Sequence, residues 1–191
     1  MHDDELWQVY GQNGEPVKGD GRKKETFLDG TLNGAAHVWI WRRTDDSIEI
    51  LLQQRAKNII SWAGYLDISA AGHINLDETP VQAGAREAKE EIGIDMDETE
   101  LDFVFAHRKY IDKTEQNITS QMTELHWVYT YELTSHGEFD FDDGEVTATQ
   151  WVAYEDFPTT QSEAASFNMV PHNDQYFTQL SKHLKSKLHA S

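Results

Sequence analysis

A chain of 191 residues, 38% hydrophobic and 11% aromatic, is long enough to bury one sizeable core, and its aromatic content argues against an acidic disordered segment. Lysine and arginine number 16 against 34 acidic residues, and the formal net charge of −18 at pH 7 speaks against nucleic acid and anionic lipid as general partners. With no cysteine, disulfides, thiolate metal sites and cysteine nucleophiles are excluded.

In chain order, MHDDELWQVY lacks the basic segment and apolar run of a signal peptide. Nowhere do about 18 apolar residues run together, so the expectation is a soluble, cytoplasmic protein with no membrane partner. ELWQVYGQNGEPVKG alternates apolar and polar residues up to Gln12-Asn13-Gly14, a hairpin turn signal. Lys18 to Gly34 is polar and contains glycine, and reads as a loop with at most a short strand. AAHVWIW, from Ala35 to Trp41, reads as a buried strand; Thr44 to Ser47 makes a turn, and IEILLQQR returns as a second strand. LDISAAG, from Leu66 to Gly72, is a short strand.

A helix-start signal follows, with Thr79 as N-cap, Pro80 at the first helical position and Gln82 completing a capping box. Val81, Ala85, Ala88 and Ile92 give this helix one apolar stripe, and Gly93 is placed to end it. Strands are expected at Leu101 to Tyr110, Met122 to Leu133 and Thr147 to Tyr154. In NDQYFTQLSKHLKSKL, Tyr176, Phe177, Leu180, His183 and Leu184 form an apolar face with lysines toward the end, which predicts a closing helix over about 173–188. Without repeats or low-complexity linkers, the chain reads as a single domain over 1–191, of mixed α/β type with strands outnumbering helices.

On the first helix, Glu87, Glu90 and Glu91 stand at i, i+3 and i+4, which brings three carboxylates to neighbouring positions. Mg²⁺ and Mn²⁺ prefer such oxygen ligands. The same spacing in isolation is more often a solvated acidic helix face. The surrounding pattern decides between them: Gly72, five residues, Glu78, seven residues, Arg86-Glu87-Ala88, one residue, Glu90-Glu91, one residue, Gly93-Ile94.

That spacing resembles the Nudix box, G-x5-E-x7-R-E-U-x-E-E-x-G-U with U aliphatic. All seven fixed letters are matched, Ile94 fits the second aliphatic position, and Ala88 at the first is the one departure. The resemblance implies an α/β (α+β) Nudix fold, a mixed β-sheet sandwiched between α-helices, with a loop-helix-loop over 72–94. It implies Mg²⁺ or Mn²⁺ held by Glu87, Glu90 and Glu91 with the backbone carbonyl of Ala71, Arg86 paired with Glu78, and structural roles for Gly72 and Gly93. The implied reaction is divalent-metal-dependent hydrolysis of a diphosphate bond in a small molecule, a nucleoside diphosphate linked to another moiety. Dimers are common in the family, so a homodimer is compatible with it.

Beyond the box, GQNGEPVKG, LLQQRAKN, WAGYLDISAAGH, TELHWVY and DDGEVTATQWV resemble type 1 isopentenyl diphosphate isomerase over about Leu6 to Phe157. Ala71 stands where those isomerases carry their catalytic cysteine, and a methyl group cannot move a proton. Thr26 and Asn33 stand where they place metal-binding histidines, with His37 out of register. A hydrolase is therefore expected, with an isomerase-like enzyme and a non-catalytic Nudix-fold binding module as the alternatives.

Hydrolysis also needs a base. Glu87 is one candidate, and Glu145 lies where other Nudix hydrolases place a distal glutamate. Glu124 matches a metal-binding glutamate of the isomerases. Glu145 reads equally as one more acid in an exposed turn, and Glu124 as a solvent-facing strand residue. Arg55, Lys57 and His73 are the candidate substrate contacts. Trp62 and Tyr65 read as core aromatics or stacking surfaces, and His107, Arg108 and Lys109, read as the end of a strand, are weaker phosphate candidates.

Overall fold

The apolar run at 35–41 forms the middle of one long strand, β3 (Asp29–Arg43), and the other elements are arranged around it. A computed structural model describes residues 5–23, 27, 29–59, 61–115, 118–135, 138–141 and 144–188. Side chains along β3 alternate between its faces. Ala36, Val38 and Ile40 pack on the side of α1 (Pro80–Ile92), and Trp39 and Trp41 on the side of α3 (Asp174–Lys187). A strand covered on both faces needs apolar residues at nearly every position, which is why this stretch shows no polar alternation.

β1 (Trp7–Tyr10) and β2 (Pro16–Arg22) form an antiparallel hairpin, with Gly14 at φ 86 supplying the left-handed turn residue. β3 runs antiparallel to β4 (Ile48–Arg55) and β6 (Ala70–His73), and parallel to β8 (Ile118–Glu132). β8 pairs with β7 (Asp102–Glu115); β4 pairs with β5 (Leu66–Asp67) and β9 (Val146–Ala153). Together they make a nine-stranded mixed sheet with helices on both faces. No helix among the described residues is long and apolar enough to cross a membrane.

Three expectations need correction. The stretch read as a loop at 18–34 holds β2 and the start of β3; β2 is an exposed edge strand, so no apolar alternation marks it. LDISAAG is divided into β5 and β6 by Ser69, whose hydroxyl donates to the Leu51 carbonyl at 2.6 Å and accepts from the Ile40 amide at 2.8 Å. A further helix, α2 (Gln161–Ser166), is too short to show a period in the sequence.

α1 is bounded as its caps dictate: Thr79 and Gln82 form a reciprocal capping box, and Gly93 ends the helix at φ 74. Its buried face is Ala83, Gly84, Ala88, Glu91 and Ile92, with Val81 and Ala85 at the margin. A Cβ on Gly84 would come within 2.9 Å of Val38 Cγ2, so this glycine lets the helix lie close against β3. On α3, Tyr176, Phe177, Leu180 and Leu184 are fully buried, each apolar side chain contributing about 1.5–3 kcal/mol.

Candidate active site

The end of β6, the loop after it and α1 bring the charged residues of the box together around Arg86. Its Nε and Nη2 donate to the two oxygens of Glu78 at 2.9 and 3.0 Å. Nη1 donates to Glu87 Oε1 at 2.8 Å and Glu90 Oε2 at 2.9 Å, and Nη2 also reaches the His73 carbonyl at 2.9 Å. Burial works against the guanidinium charge, and the bonds to Glu78 and Glu87 outweigh it, so the Arg86 pKa is raised. One planar cation thus fixes three carboxylates and a strand end.

The three helix glutamates are placed unequally. Glu90 is half exposed. Glu87 is largely buried, and Glu91 turns inward, where its Oε2 accepts from the Ala71 amide at 2.9 Å and Gln53 Nε2 at 3.3 Å. Glu91 therefore ties α1 to β4 and β6 as well as bringing a carboxylate to Ala71. Gly72 lies against Glu87: a Cβ there would sit 1.9 Å from Glu87 Oε1, so the glycine admits the carboxylate where it stands and any larger residue would displace it. Burial pushes the Glu87 carboxyl up to about 7; Arg86 pulls it down, and Glu90 and Glu78 push it up again. Arg86 bonds three of the box carboxylates, Glu78, Glu87 and Glu90, and Glu91 is held instead by the Ala71 amide and Gln53, so the four acids and one arginine carry three net negative charges when all are ionised. That donor set of hard oxygens, with Glu87 seated against Gly72, fits Mg²⁺ or Mn²⁺. Gly93, at the far end of the helix, packs against Asp140.

His73 ends β6. Its ring stacks on Trp7 with centroids 3.4 Å apart, and its Nε2 lies 3.5 Å from Glu124 Oε1. Glu124 faces inward from β8 and receives His126 Nε2 at 3.0 Å on its other oxygen. Burial raises the Glu124 pKa, but the bonds from His126 and His73 win and hold it well below the usual carboxylate range. The solvent-facing reading of Glu124 is thereby excluded. Glu145 lies where β4 and β9 meet, its carbonyl accepting from the Ala56 amide at 2.8 Å.

Arg55 is committed to structure: Nη1 pairs with buried Asp67 at 3.1 Å and Nε donates to the Ser61 carbonyl at 3.2 Å. Lys57 is an exposed turn residue whose stem passes Gly64. Trp62 is no core residue; it is 47% exposed, in the left-handed region at φ 54, with its ring edge-on to Tyr65 at 5.2 Å. His107, Arg108 and Lys109 lie within β7 rather than at its end, with Asn173 Nδ2 donating to His107 and Arg108 donating to Gln12. Thr26 lies outside the described residues.

One cluster was not anticipated from sequence. His37 on β3, His126 on β8 and His172 before α3 meet in the interior, with His37 Nδ1 at 2.9 Å from the Tyr176 hydroxyl. The available signal was His37 itself, a polar residue inside AAHVWIW, a strand otherwise apolar on both faces.

Residues 32–172 match the NUDIX domain family. Nudix hydrolase 3 of Arabidopsis thaliana is 30% identical over 156 residues, 81% of this chain and 20% of that protein. An isopentenyl-diphosphate Delta-isomerase of Photobacterium profundum is 38% identical over 72 residues, 38% of this chain and 40% of the other. The matched segments thus span about a fifth and two-fifths of those relatives. Among solved structures, the NUDIX domain of Shewanella oneidensis NrtR complexed with ADP ribose superposes with a TM-score of 0.57 at 14% identity, covering 85% of this chain and 93% of that one. At that identity the likeness is one of fold.

Proposed function

The chain belongs to the NUDIX family, and on that premise we propose that it hydrolyses a diphosphate bond in a nucleoside diphosphate linked to another group, with the help of divalent metal. The observation that carries this reading is the excess of carboxylates around Arg86, with the Glu87 carboxylate seated against Gly72. Glu87, Glu90, Glu91 and the Ala71 carbonyl are the groups that would hold Mg²⁺ or Mn²⁺. Such an ion, when bound, neutralises diphosphate oxygens and lowers the pKa of a bound water.

The chain's own residues supply the remainder. Arg86, held in plane by Glu78, orients Glu87 and Glu90. Glu87 or Glu145 takes the proton of the attacking water as its oxygen bonds to phosphorus, and the bridging oxygen leaves with the electron pair of the broken P–O bond. Glu124 is engaged by two imidazoles, which suits it to positioning His73 rather than to proton transfer. His73 and Lys57 remain the candidate diphosphate contacts, and exposed Trp62 a surface for a base or sugar.

The test is a phosphate- and nucleotide-release screen over nucleoside diphosphate-linked compounds, ADP ribose included, with Mg²⁺, Mn²⁺ or chelator. Turnover that needs metal and is lost in Glu90→Gln supports the reading. Turnover indifferent to chelator or to Glu90→Gln overturns the metal assignment. Conversion of isopentenyl diphosphate to its allylic isomer would replace hydrolase with isomerase, a reaction for which Ala71 offers no proton.

A further inference from the structure

We propose that His37, His126 and His172 form a second divalent-metal site, nitrogen-rich and suited to Zn²⁺ or Co²⁺, built on different residues from the carboxylates of the box. One ring nitrogen from each lies within 4.8 Å of one from each of the others, and the residues are only 5%, 2% and 6% exposed. They come from β3, β8 and the segment before α3, so an ion there would tie the central strand pair to the closing helix.

Hydrogen bonds assign the free nitrogens. An ionised carboxylate only accepts, so His126 presents N–H to Glu124 from Nε2, and its Nδ1 is left as a bare lone pair. That Nδ1 is buried and has no hydrogen-bond partner among the described residues; the same holds for His172 Nε2. A buried polar atom without a partner costs about 1–3 kcal/mol, and an ion held between the rings would satisfy both atoms. His37 uses Nδ1 toward the Tyr176 oxygen, which also receives Trp39 Nε1 at 2.9 Å, so Nε2 remains. Burial, together with the neighbouring rings and Lys109, lowers the pKa of His37 and His172 and keeps both neutral, the state that binds metal.

Outer partners of the kind that orient metal-binding histidines are also in place. Glu124 stands behind His126 as carboxylate–histidine–metal triads require, and the Tyr176 hydroxyl stands behind His37. Three imidazoles select a borderline cation over Mg²⁺, which favours oxygen. Metal–nitrogen bonds of about 2.0–2.1 Å in a tetrahedral site place nitrogens about 3.4 Å apart, so the rings close by up to about 1.4 Å on binding. Lys109 acts against a cation here, and the Glu124 carboxylate acts for it.

Visible spectroscopy of Co²⁺ added to the full chain in excess Mg²⁺ tests this. The expected result is one tightly held Co²⁺ per chain with the intense bands of a four-coordinate nitrogen-ligated ion. His37→Gln and His172→Gln abolish those bands, and Glu124→Gln weakens the affinity by about 10–100-fold. Should a variant fail to fold, ¹⁵N spectra of the histidine rings in the unaltered protein decide the matter, since Zn²⁺ must shift His126 Nδ1 and His172 Nε2. Weak six-coordinate bands that ignore the histidine variants, or ring nitrogens that Zn²⁺ leaves unmoved, overturn the proposal.

Discussion

Replacing Gly72 by alanine adds a single methyl group next to Glu87 and tests whether the box is built around that carboxylate. The new Cβ would lie 1.9 Å from Glu87 Oε1 and 2.0 Å from its Cδ. Ordinary contact needs about 3.5 Å, so the carboxylate must retreat by about 1.5 Å. That breaks the 2.8 Å bond from Arg86 and takes the carboxylate out of its seat against Gly72. Misplacement by about an ångström typically costs about a hundredfold in rate, and the same in turnover is expected here. The fold should lose little. Gly72 has no positive φ, so alanine gains up to about 1 kcal/mol through the unfolded chain and loses one charged hydrogen bond worth about 1.5–3 kcal/mol. Mn²⁺ binding, followed by the magnetic resonance of the free ion, gives a readout that needs no substrate, and should weaken at least about tenfold while the urea midpoint moves little. Unchanged Mn²⁺ affinity and unchanged turnover would refute the reasoning.

Arg86→Met should cost about 3–5 kcal/mol in urea unfolding, because it strands the largely buried carboxylates of Glu78 and Glu87; a loss under about 1 kcal/mol would show that they relax into solvent. Tyr176→Phe leaves the buried Trp39 indole N–H without its acceptor and should destabilise by about 1–3 kcal/mol, checked by the same method. For the chelated protein, acid sensitivity should begin early. His37 and His172 have folded pKa values far below their unfolded value of about 6.5, so stability is full above that pH and falls as pH drops, by about 1.4 kcal/mol per pH unit for each ring. The groups facing these rings are His126, His107, His73, Lys109 and Tyr176; Glu87, pushed up to about 7, works the other way between about pH 6.5 and 5 by about 1.4 kcal/mol per pH unit, and the two rings together outweigh it. A denaturation midpoint flat across that window would contradict buried neutral histidines.

Where the sequence carries a physical necessity, it was readable. Thr79, Pro80, Gln82 and Gly93 bound α1 because orphan amides and carbonyls at helix ends must be satisfied, and the structure satisfies them with those residues. AAHVWIW announced a strand covered on both faces. What stayed hidden depends on partners distant in sequence. Glu91 falls on the buried face of α1, three residues after Ala88, while Glu90 falls on the exposed face; what the sequence does not show is that the Ala71 amide and Gln53 wait there to donate to it. Glu124 in MTELHW shows nothing of the two histidines that hold it from β6 and its own strand. The edge strand β2 lacks an apolar face, so its pattern resembles that of a loop. Trp62 is large and aromatic, features that favour the core, but the turn between β4 and β5 leaves it outside.

The central claim is that carboxylates crowd around Arg86 because they hold divalent metal for diphosphate hydrolysis. Its most direct test is product analysis after incubation of the unaltered protein with nucleoside diphosphate-linked compounds in Mg²⁺, set against chelator and Glu90→Gln. The account predicts cleavage between the two phosphorus atoms that disappears in both controls. Cleavage that persists in chelator, or a protein that binds Mn²⁺ at the box yet cleaves no diphosphate across a broad panel, would contradict it.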